Sequence, residues 1–493
     1  MIVIAGLFLF RAPVYAPDTE FIVGGFSSDT AIPILMANSD YFSPFSLYYW
    51  GQDRFGAWPF LVLRLLPDVS DFQVFLAMFV YLHAGLLVFF WNRDPFAFLS
   101  VLSLLHIWQG TSGFLFDIAQ PYGWQLGSIL IALTCLESTN RTARAAGGFL
   151  SGPALCTGLF SFLAIWLSPS SILYFLAYPI LRLAPTDGLR SLLSSAQISR
   201  LFRLWIPAIA AYVAHSLLRR SVVAYNKEAF YNKFETPLRW QLDLVTPAWK
   251  AVLQSLQTPE IILWALTLIM LTFLAMALFL GLGKWARFAR RYPMEVNLLA
   301  ASLLFLLALL PLNWFYLNQF GIRYIALPRF LMVTGVLLLI LRMASRLKPP
   351  FQLSIRYAGL ALLAVTLLWT PGVLPTRKES AGYQERKRVA EFLEREYPGI
   401  PILGNYWETY VYAALQNRRN IPQPGTGQYQ RTPFLVPEFL EASTIIVNHR
   451  GYDRTVESDG NPLTYFRFRS QQYKLEEHFQ SQGVPFSAYS LVR

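Results

Sequence analysis

Long apolar runs alternate with short polar connections over the first three quarters of the chain, and then the pattern breaks. The runs fall at Met1 to about Ala16, then at about 72–92, 95–112, 122–138, 147–166, 169–183, 204–218, 259–281, 295–312, 329–346 and 357–374. Each approaches the roughly 20 residues with which an α-helix crosses the hydrocarbon core of a bilayer. The pattern predicts a polytopic α-helical membrane protein with about 11 transmembrane helices. The first run is short and carries Arg11, and its PVYA stretch offers a small-residue cleavage site. Pro17 just beyond that site argues against a removed signal peptide.

After about residue 375 the spacing is that of a soluble fold. RVAEFLEREYPG places Val389, Phe392, Leu393 and Tyr397 on one helical face. IPILGN, STIIVN and VPFSAYSLV read as strands and WETYVYAAL as a helix, with LEEHFQSQG expected as a helix ending at Gly483. Two domains are therefore expected. Residues 1–375 form the transmembrane part, with a first extracytoplasmic loop at 17–71. Residues 376–493 form a small C-terminal α/β domain long enough for a core of its own.

Composition supports the membrane reading. Of 493 residues, 55% are hydrophobic, 16% aromatic and 14% charged, whereas soluble proteins carry about 25% charged residues. The net charge of +12 does not point to nucleic acid, because the basic residues gather in alternate connections between spans. Arg141 and Arg144, the arginines at 182–203, the Lys and Arg at 284–291 and those at 342–356 lie in connections that the positive-inside rule assigns to the cytoplasm. That gives a cytoplasmic N-terminus and an extracytoplasmic C-terminal domain. The basic outer stretch 219–258 runs against the count, but it also carries Glu228, Glu235 and Asp243. Most of the aromatic excess is expected to face lipid and the interfacial belts. Cys135 and Cys156 read as small buried hydrophobes in separate spans. No zinc spacing, H-E-x-x-H, G-x-S-x-G or Walker loop occurs, and no metal site is expected from motifs.

One connection departs from this background. Between Ser27 and Pro67, Asp29, Asp40, Asp53 and Arg54 stand among Tyr41, Phe42, Phe45, Tyr48, Tyr49, Trp50, Phe55 and Trp58. Acidic and aromatic residues together suggest a segment at the membrane surface that presents a carboxylate. The order is Asp29, a helical TAIPILMA, an aromatic run, then G-Q-x-x-x-G and an apolar span. Through Ser28-Asp29-Thr30-Ala31, Leu35-Met36-Ala37, Trp50-Gly51-Gln52 and Gly56, it resembles the first extracytoplasmic loop of GT-C glycosyltransferases. The likeness is to the bacterial relatives of protein O-mannosyltransferases and aminoarabinose transferases, which use polyprenyl-phosphate sugars. Members of that family often show an acidic pair here, where this chain has one Asp flanked by Ser28 and Thr30.

The resemblance implies a GT-C-like catalytic domain and gives the candidate residues their roles. Transfer to a hydroxyl needs a base on the face opposite the leaving group, and a carboxylate suits an inverting displacement. Asp29 stands at the family's catalytic position; its residue type also suits the N-cap of the TAIPILMA helix. Asp117, an acid among Phe114, Leu115, Phe116 and Ile118 in the next outer turn, is the second catalytic candidate. Tyr122 lies in the PYGWQ run that resembles the family's corresponding turn, although relatives often carry an acid near Gln125. A departing polyprenyl phosphate gains charge and calls for a cation. Arg54 beside Gln52, and Arg323 with Tyr324 in RYIALP, are the candidates, and Arg329 follows close behind. Asn405 to Tyr410 resembles a segment recurring in the family's soluble domain, with no catalytic role expected.

The expected function is therefore a glycosyltransferase of a bacterial cytoplasmic membrane, moving a sugar from a polyprenyl-phosphate donor to a lipid, glycan or protein on the outer face. The expected partners are that donor and membrane lipids. A divalent cation shared by Asp29 and Asp117 is left open. The alternative is a transporter or flippase of lipid-linked sugars, which calls for paired intramembrane charges and internal pseudo-symmetry. The spans read as lacking both.

Overall fold

The computed structural model describes residues 28–38, 44–50, 55–64, 79, 115, 120–142, 152–183, 195–225, 239–255, 264–265, 267–269, 272, 283–344, 357, 381–415, 421–425 and 431–492. The expected spans at 1–16 and 95–112, all but Phe79 of 72–92, and most of 259–281 and 357–374 lie outside these residues. So do Asp40, Gln52, Asp53, Arg54 and Asp117.

The chain is mostly helical and ends in a mixed sheet. Its helices are α1 (Ser28–Asn38), α2 (Trp58–Leu63), α3 (Tyr122–Thr142), α4 (Gly152–Leu167), α5 (Ile172–Arg182), α6 (Ser195–Tyr225), α7 (Val245–Ser255), α8 (Gly283–Arg291), α9 (Pro293–Leu309), α10 (Asn313–Leu317) and α11 (Ala326–Ala344). Among the described residues one helical run, Arg323–Ile340, is long and apolar enough to cross a membrane, and the apolar α4 and α9 are shorter. Helices α3, α4, α5, α6, α9 and α11 coincide with expected spans to within several residues; α6 runs well past its expected ends.

Polar side chains tie the bundle together. Gln125 in α3 donates to Ser171 Oγ at 2.9 Å. Asn297 in α9 donates to the Tyr174 carbonyl at 3.1 Å, and the Tyr174 hydroxyl meets Ser302 at 3.3 Å. Each bond satisfies a group that burial would otherwise leave costly. Toward one end, Glu137 in α3 pairs with Arg182 in α5 at 3.2 Å and accepts the Tyr178 hydroxyl. Glu295 at the start of α9 pairs with Arg342 near the end of α11 at 2.9 Å. The expectation that the spans lack paired charges is therefore corrected. Both pairs sit near helix ends, where a carboxylate and a guanidinium from adjacent helices come within reach. Cys135 and Cys156 are free thiols, half-buried rather than buried, with Sγ atoms 2.7 Å apart.

The aromatic connection folds inward. Tyr48, Tyr49, Trp50 and Phe55 are buried. Tyr49 stacks on Phe55 at 5.4 Å, and Phe60 meets both rings edge-on. These rings, with Trp124, are core and not the lipid-facing belt expected from composition. Burying each of the Phe side chains contributes about 1.5–3 kcal/mol. Gly56 permits the packing: its N–H donates to the Trp166 carbonyl at 3.0 Å, and a Cβ there would lie 2.7 Å from the same oxygen.

The C-terminal part comprises α12 (Ala381–Glu396), β1 (Ile402–Gly404), α13 (Tyr406–Leu415), β2 (Pro422–Pro424), α14 (Val436–Glu441), β3 (Thr444–Asn448), β4 (Tyr465–Phe468), β5 (Gln471–Ser481) and β6 (Val484–Leu491). The sheet order is β2-β1-β3-β6-β5-β4. The β1 pairings to β2 and β3 are parallel and the others antiparallel. Val389, Ala390 and Leu393 of α12 cover one part of the sheet core with Ile402, Ile446 and Phe486. Leu403, Ile445, Val447, Phe468 and Tyr489 pack in a second cluster with Phe439 of α14.

The expected helix at LEEHFQSQG is instead most of β5. Ser481 pairs with Val484 across Gln482 and Gly483, which have φ of 51° and 76°. Two consecutive positive φ values make a tight hairpin turn whose twist suits the flanking strands. Gly483 serves that turn and not a helix end. The helical look of the segment came from Leu475 and Phe479 four residues apart; a register shift between Leu475 and Glu477 interrupts the strand alternation.

Helix α13 joins the two parts. Tyr406, Tyr410 and Ala414, spaced by four, lie along one face. They share a core cluster with Ala31, Ile34, Leu35 and Met36 of α1. This packing sets the first turn of α1 against the N-terminus of α13.

Candidate active site

Asp29 lies in the first turn of α1. Among the described residues its carboxylate accepts nothing from its own helix. The N-cap position expected for it would fall one residue or more earlier, since the helix already includes Ser28. The side chain is 32% exposed. Its Oδ1 accepts the Tyr406 hydroxyl at 2.8 Å, and Nη2 of Arg431 stands 3.9 Å from the same oxygen. Among the described residues no hydrogen bond reaches Oδ2. The Asp29 carbonyl accepts the Tyr49 hydroxyl at 2.8 Å.

Arg431 is fixed from several sides. Its Nε donates to the Tyr406 hydroxyl oxygen at 3.3 Å, and its backbone N–H donates to the Tyr410 hydroxyl at 2.9 Å. The guanidinium lies over the Tyr49 ring, 5.7 Å from its centroid. Burial works against its charge, but Tyr406, Tyr49 and Asp29 outweigh that and raise its pKa. Burial first, then the Asp29 carboxylate, push the Tyr406 phenol well above its ordinary range. Tyr406 thus stays protonated and donates.

Arg323 approaches from the bundle. It sits in the turn that leads into α11, within electrostatic reach of Tyr122 and Asp29. Its Nη2 donates to the Tyr324 hydroxyl at 2.9 Å. Tyr324 in turn packs edge-on against Trp314 and Phe315. Tyr122 begins α3 and is buried. Arg329 lies buried one turn into α11. Gln125 donates to Ser171 Oγ.

Of the residues singled out from sequence, the structure therefore brings Asp29, Arg323, Tyr324 and Tyr122 into one neighbourhood. Asp117, Gln52 and Arg54 lie outside the described residues. Sequence reading missed Tyr406 and Arg431. The first stood inside a segment already noted, and its place four residues before Tyr410 on an apolar helix was the available signal. Arg431 had none, since its reach to Asp29 depends on how the domain packs.

Among the described residues the groups nearest the Asp29 carboxylate are the Tyr406 phenol, which donates a hydrogen bond, and the Arg431 guanidinium, which carries the opposite charge. Among the described residues no three His, Cys, Asp or Glu side chains converge as metal ligands would. The arrangement can hold one carboxylate oxygen, leave the other for a proton, and offer a nearby cation to an anionic group.

No family model matches the chain, and no curated protein matches it. Among solved structures it is similar to ArnT from Cupriavidus metallidurans in the apo state, at 12% identity over 99% of this chain and 96% of that one, with a TM-score of 0.49. It is also similar to the archaeal oligosaccharyltransferase AglB from Archaeoglobus fulgidus in complex with an inhibitory peptide and a dolichol-phosphate, at 11% identity, 91% and 69% coverage and a TM-score of 0.41.

Proposed function

We propose that this chain is a GT-C-like membrane glycosyltransferase that moves a sugar from a polyprenyl-phosphate donor to an acceptor, with Asp29 as general base. The observation that carries the reading is the state of the Asp29 carboxylate. One oxygen is held by Tyr406 and Arg431, and the other accepts no hydrogen bond among the described residues. In the reaction the acceptor oxygen bonds to the anomeric carbon as the bond from that carbon to the phosphate oxygen breaks. The acceptor proton passes to Asp29 Oδ2. Charge develops on the leaving phosphate, and Arg323 is a cation within electrostatic reach of Asp29 that can stabilise it. Attack opposite the leaving group inverts the anomeric centre. The chain works in a bacterial cytoplasmic membrane with this site and the C-terminal domain on the extracytoplasmic side.

The ion pairs Glu137–Arg182 and Glu295–Arg342 do not favour a transporter. Glu137 lies 15 residues along α3 from Tyr122, about 22 Å at 1.5 Å per residue. At that distance each pair reads as a tie between neighbouring helices, α3 to α5 and α9 to α11. The test is incubation of the purified full chain with undecaprenyl-phosphate-linked sugars and a panel of lipid, glycan and peptide acceptors. A transferase consumes the donor and releases undecaprenyl phosphate. Saturable binding of donor with no consumption across the panel would support the transporter instead.

A further inference from the structure

We propose that Tyr406 and Arg431, both in the C-terminal part, are positioning residues for the Asp29 carboxylate, so that this domain completes the active site. The inference rests on the proposed role of Asp29 as base. Four residues form a circuit that closes through the Asp29 backbone carbonyl. Tyr406 donates to Asp29 Oδ1 at 2.8 Å. Arg431 Nε donates to the Tyr406 oxygen at 3.3 Å. The Arg431 guanidinium lies over Tyr49 at 5.7 Å. The Tyr49 hydroxyl returns to the Asp29 carbonyl at 2.8 Å.

The directions of these bonds matter. A phenol has one proton to give. With Arg431 Nε–H donating to the Tyr406 oxygen, the phenolic proton is left for Asp29. Arg431 is itself anchored by the backbone bond from its N–H to Tyr410, one turn along α13 from Tyr406. The carboxylate is thus gripped at Oδ1 alone, and its rotation about the terminal torsion, which is otherwise soft, is fixed with Oδ2 presented. A base must sit within hydrogen-bond reach of the proton that it takes, and small misplacement costs up to about a hundredfold in rate. Holding the domain down would need only the apolar contacts of α1 with α13. The polar circuit adds orientation at the one atom where orientation affects the proposed chemistry.

The experiment uses the full chain in detergent and has two arms. The first measures thermal unfolding of Asp29→Ala, Tyr406→Phe and the double variant, and needs no substrate. Coupled residues give a double variant that loses less than the sum of the single losses; additive losses overturn the contact and the proposal with it. The second arm measures consumption of the undecaprenyl-phosphate-linked sugar that the unmutated chain turns over. Tyr406→Phe is expected to lower kcat about 10–100-fold with the donor KM unchanged. Arg431→Lys should recover part of what Arg431→Ala loses, because Lys keeps the charge without the fork that spans Tyr406 and Asp29. In an Asp29→Asn background, Tyr406→Phe should cost nothing further. Unmutated kcat in Tyr406→Phe, beside an inactive Asp29→Asn, overturns the positioning role and leaves Asp29 as base. Unmutated kcat in Asp29→Asn overturns the base itself, and the positioning proposal falls with it.

Discussion

At the scale of single residues, the site is a carboxylate answered by two arginines that arrive from different parts of the chain. Arg323 comes from the turn before α11 and Arg431 from the segment after β2. Their surroundings differ. Arg431 is engaged by Tyr406, Tyr410 and Tyr49. Arg323 is held by Tyr324 and is 5.0 Å from the centroid of that ring. Arg323 is therefore the better candidate to meet an incoming phosphate. Arg323→Ala should lower kcat/KM for the donor by about 10–100-fold, the size of one lost charge-assisted contact. Arg323→Lys should recover only part. Steady-state kinetics with varied donor checks this, and unchanged donor use in Arg323→Ala would reduce Arg323 to an anchor. Asp29 and Arg323 could be named as candidates from sequence because short motifs carry them. Tyr406 and Arg431 could not, because residues 377 positions apart meet only through the packing of α1 on α13.

At the scale of elements, the helices of the bundle were legible because their apolar runs are long and nearly uninterrupted. The sheet was less so. β1, β3 and β6 are continuous buried strands and read as such. β5 carries Glu476, Glu477 and His478 as three exposed residues in succession, beside a register shift that breaks the strand alternation, and its charges mimic a helical surface. A polar cluster that pattern alone does not reveal joins β5 to β6 and to the segment after β3. His449 Nε2 meets Ser487 Oγ at 2.8 Å, His449 Nδ1 meets Thr455 Oγ1 at 3.0 Å, and His478 Nδ1 meets Ser487 Oγ at 3.0 Å. Burial, and then His478, lower the His449 pKa from 6.5 to about 4. A lowered folded-state pKa means that the unfolded chain binds the proton first. The stabilisation from neutral His449 is therefore complete above about pH 6.5 and drains away as the pH falls towards 4. Unfolding of the full chain followed by a C-terminal probe should show this loss, and His449→Gln should flatten it. An unchanged pH dependence in His449→Gln would assign the slope to other groups.

At the scale of the whole molecule, the site and the paired charges mark two ends of the bundle. Tyr122, Arg323, Asp29 and the C-terminal part gather at one end, and Glu137–Arg182 and Glu295–Arg342 lie towards the other. Among the described basic residues, Arg290 of α8 falls beside the second end, where its carbonyl accepts from Arg182 at 3.3 Å. Under the proposed topology the positive-inside rule assigns the second end to the cytoplasm. Reporter fusions after residue 375 should be active only in the extracytoplasmic orientation; a cytoplasmic signal would reverse the sidedness of the site. The most direct measurement is sugar transfer by Asp29→Asn, with folding confirmed first. Asn keeps the shape and can still accept the Tyr406 hydroxyl, but it cannot take a proton. Normal yield and melting behaviour are expected, with transfer reduced by about two to four orders of magnitude. Transfer at the unmutated rate would contradict the role of Asp29 as base.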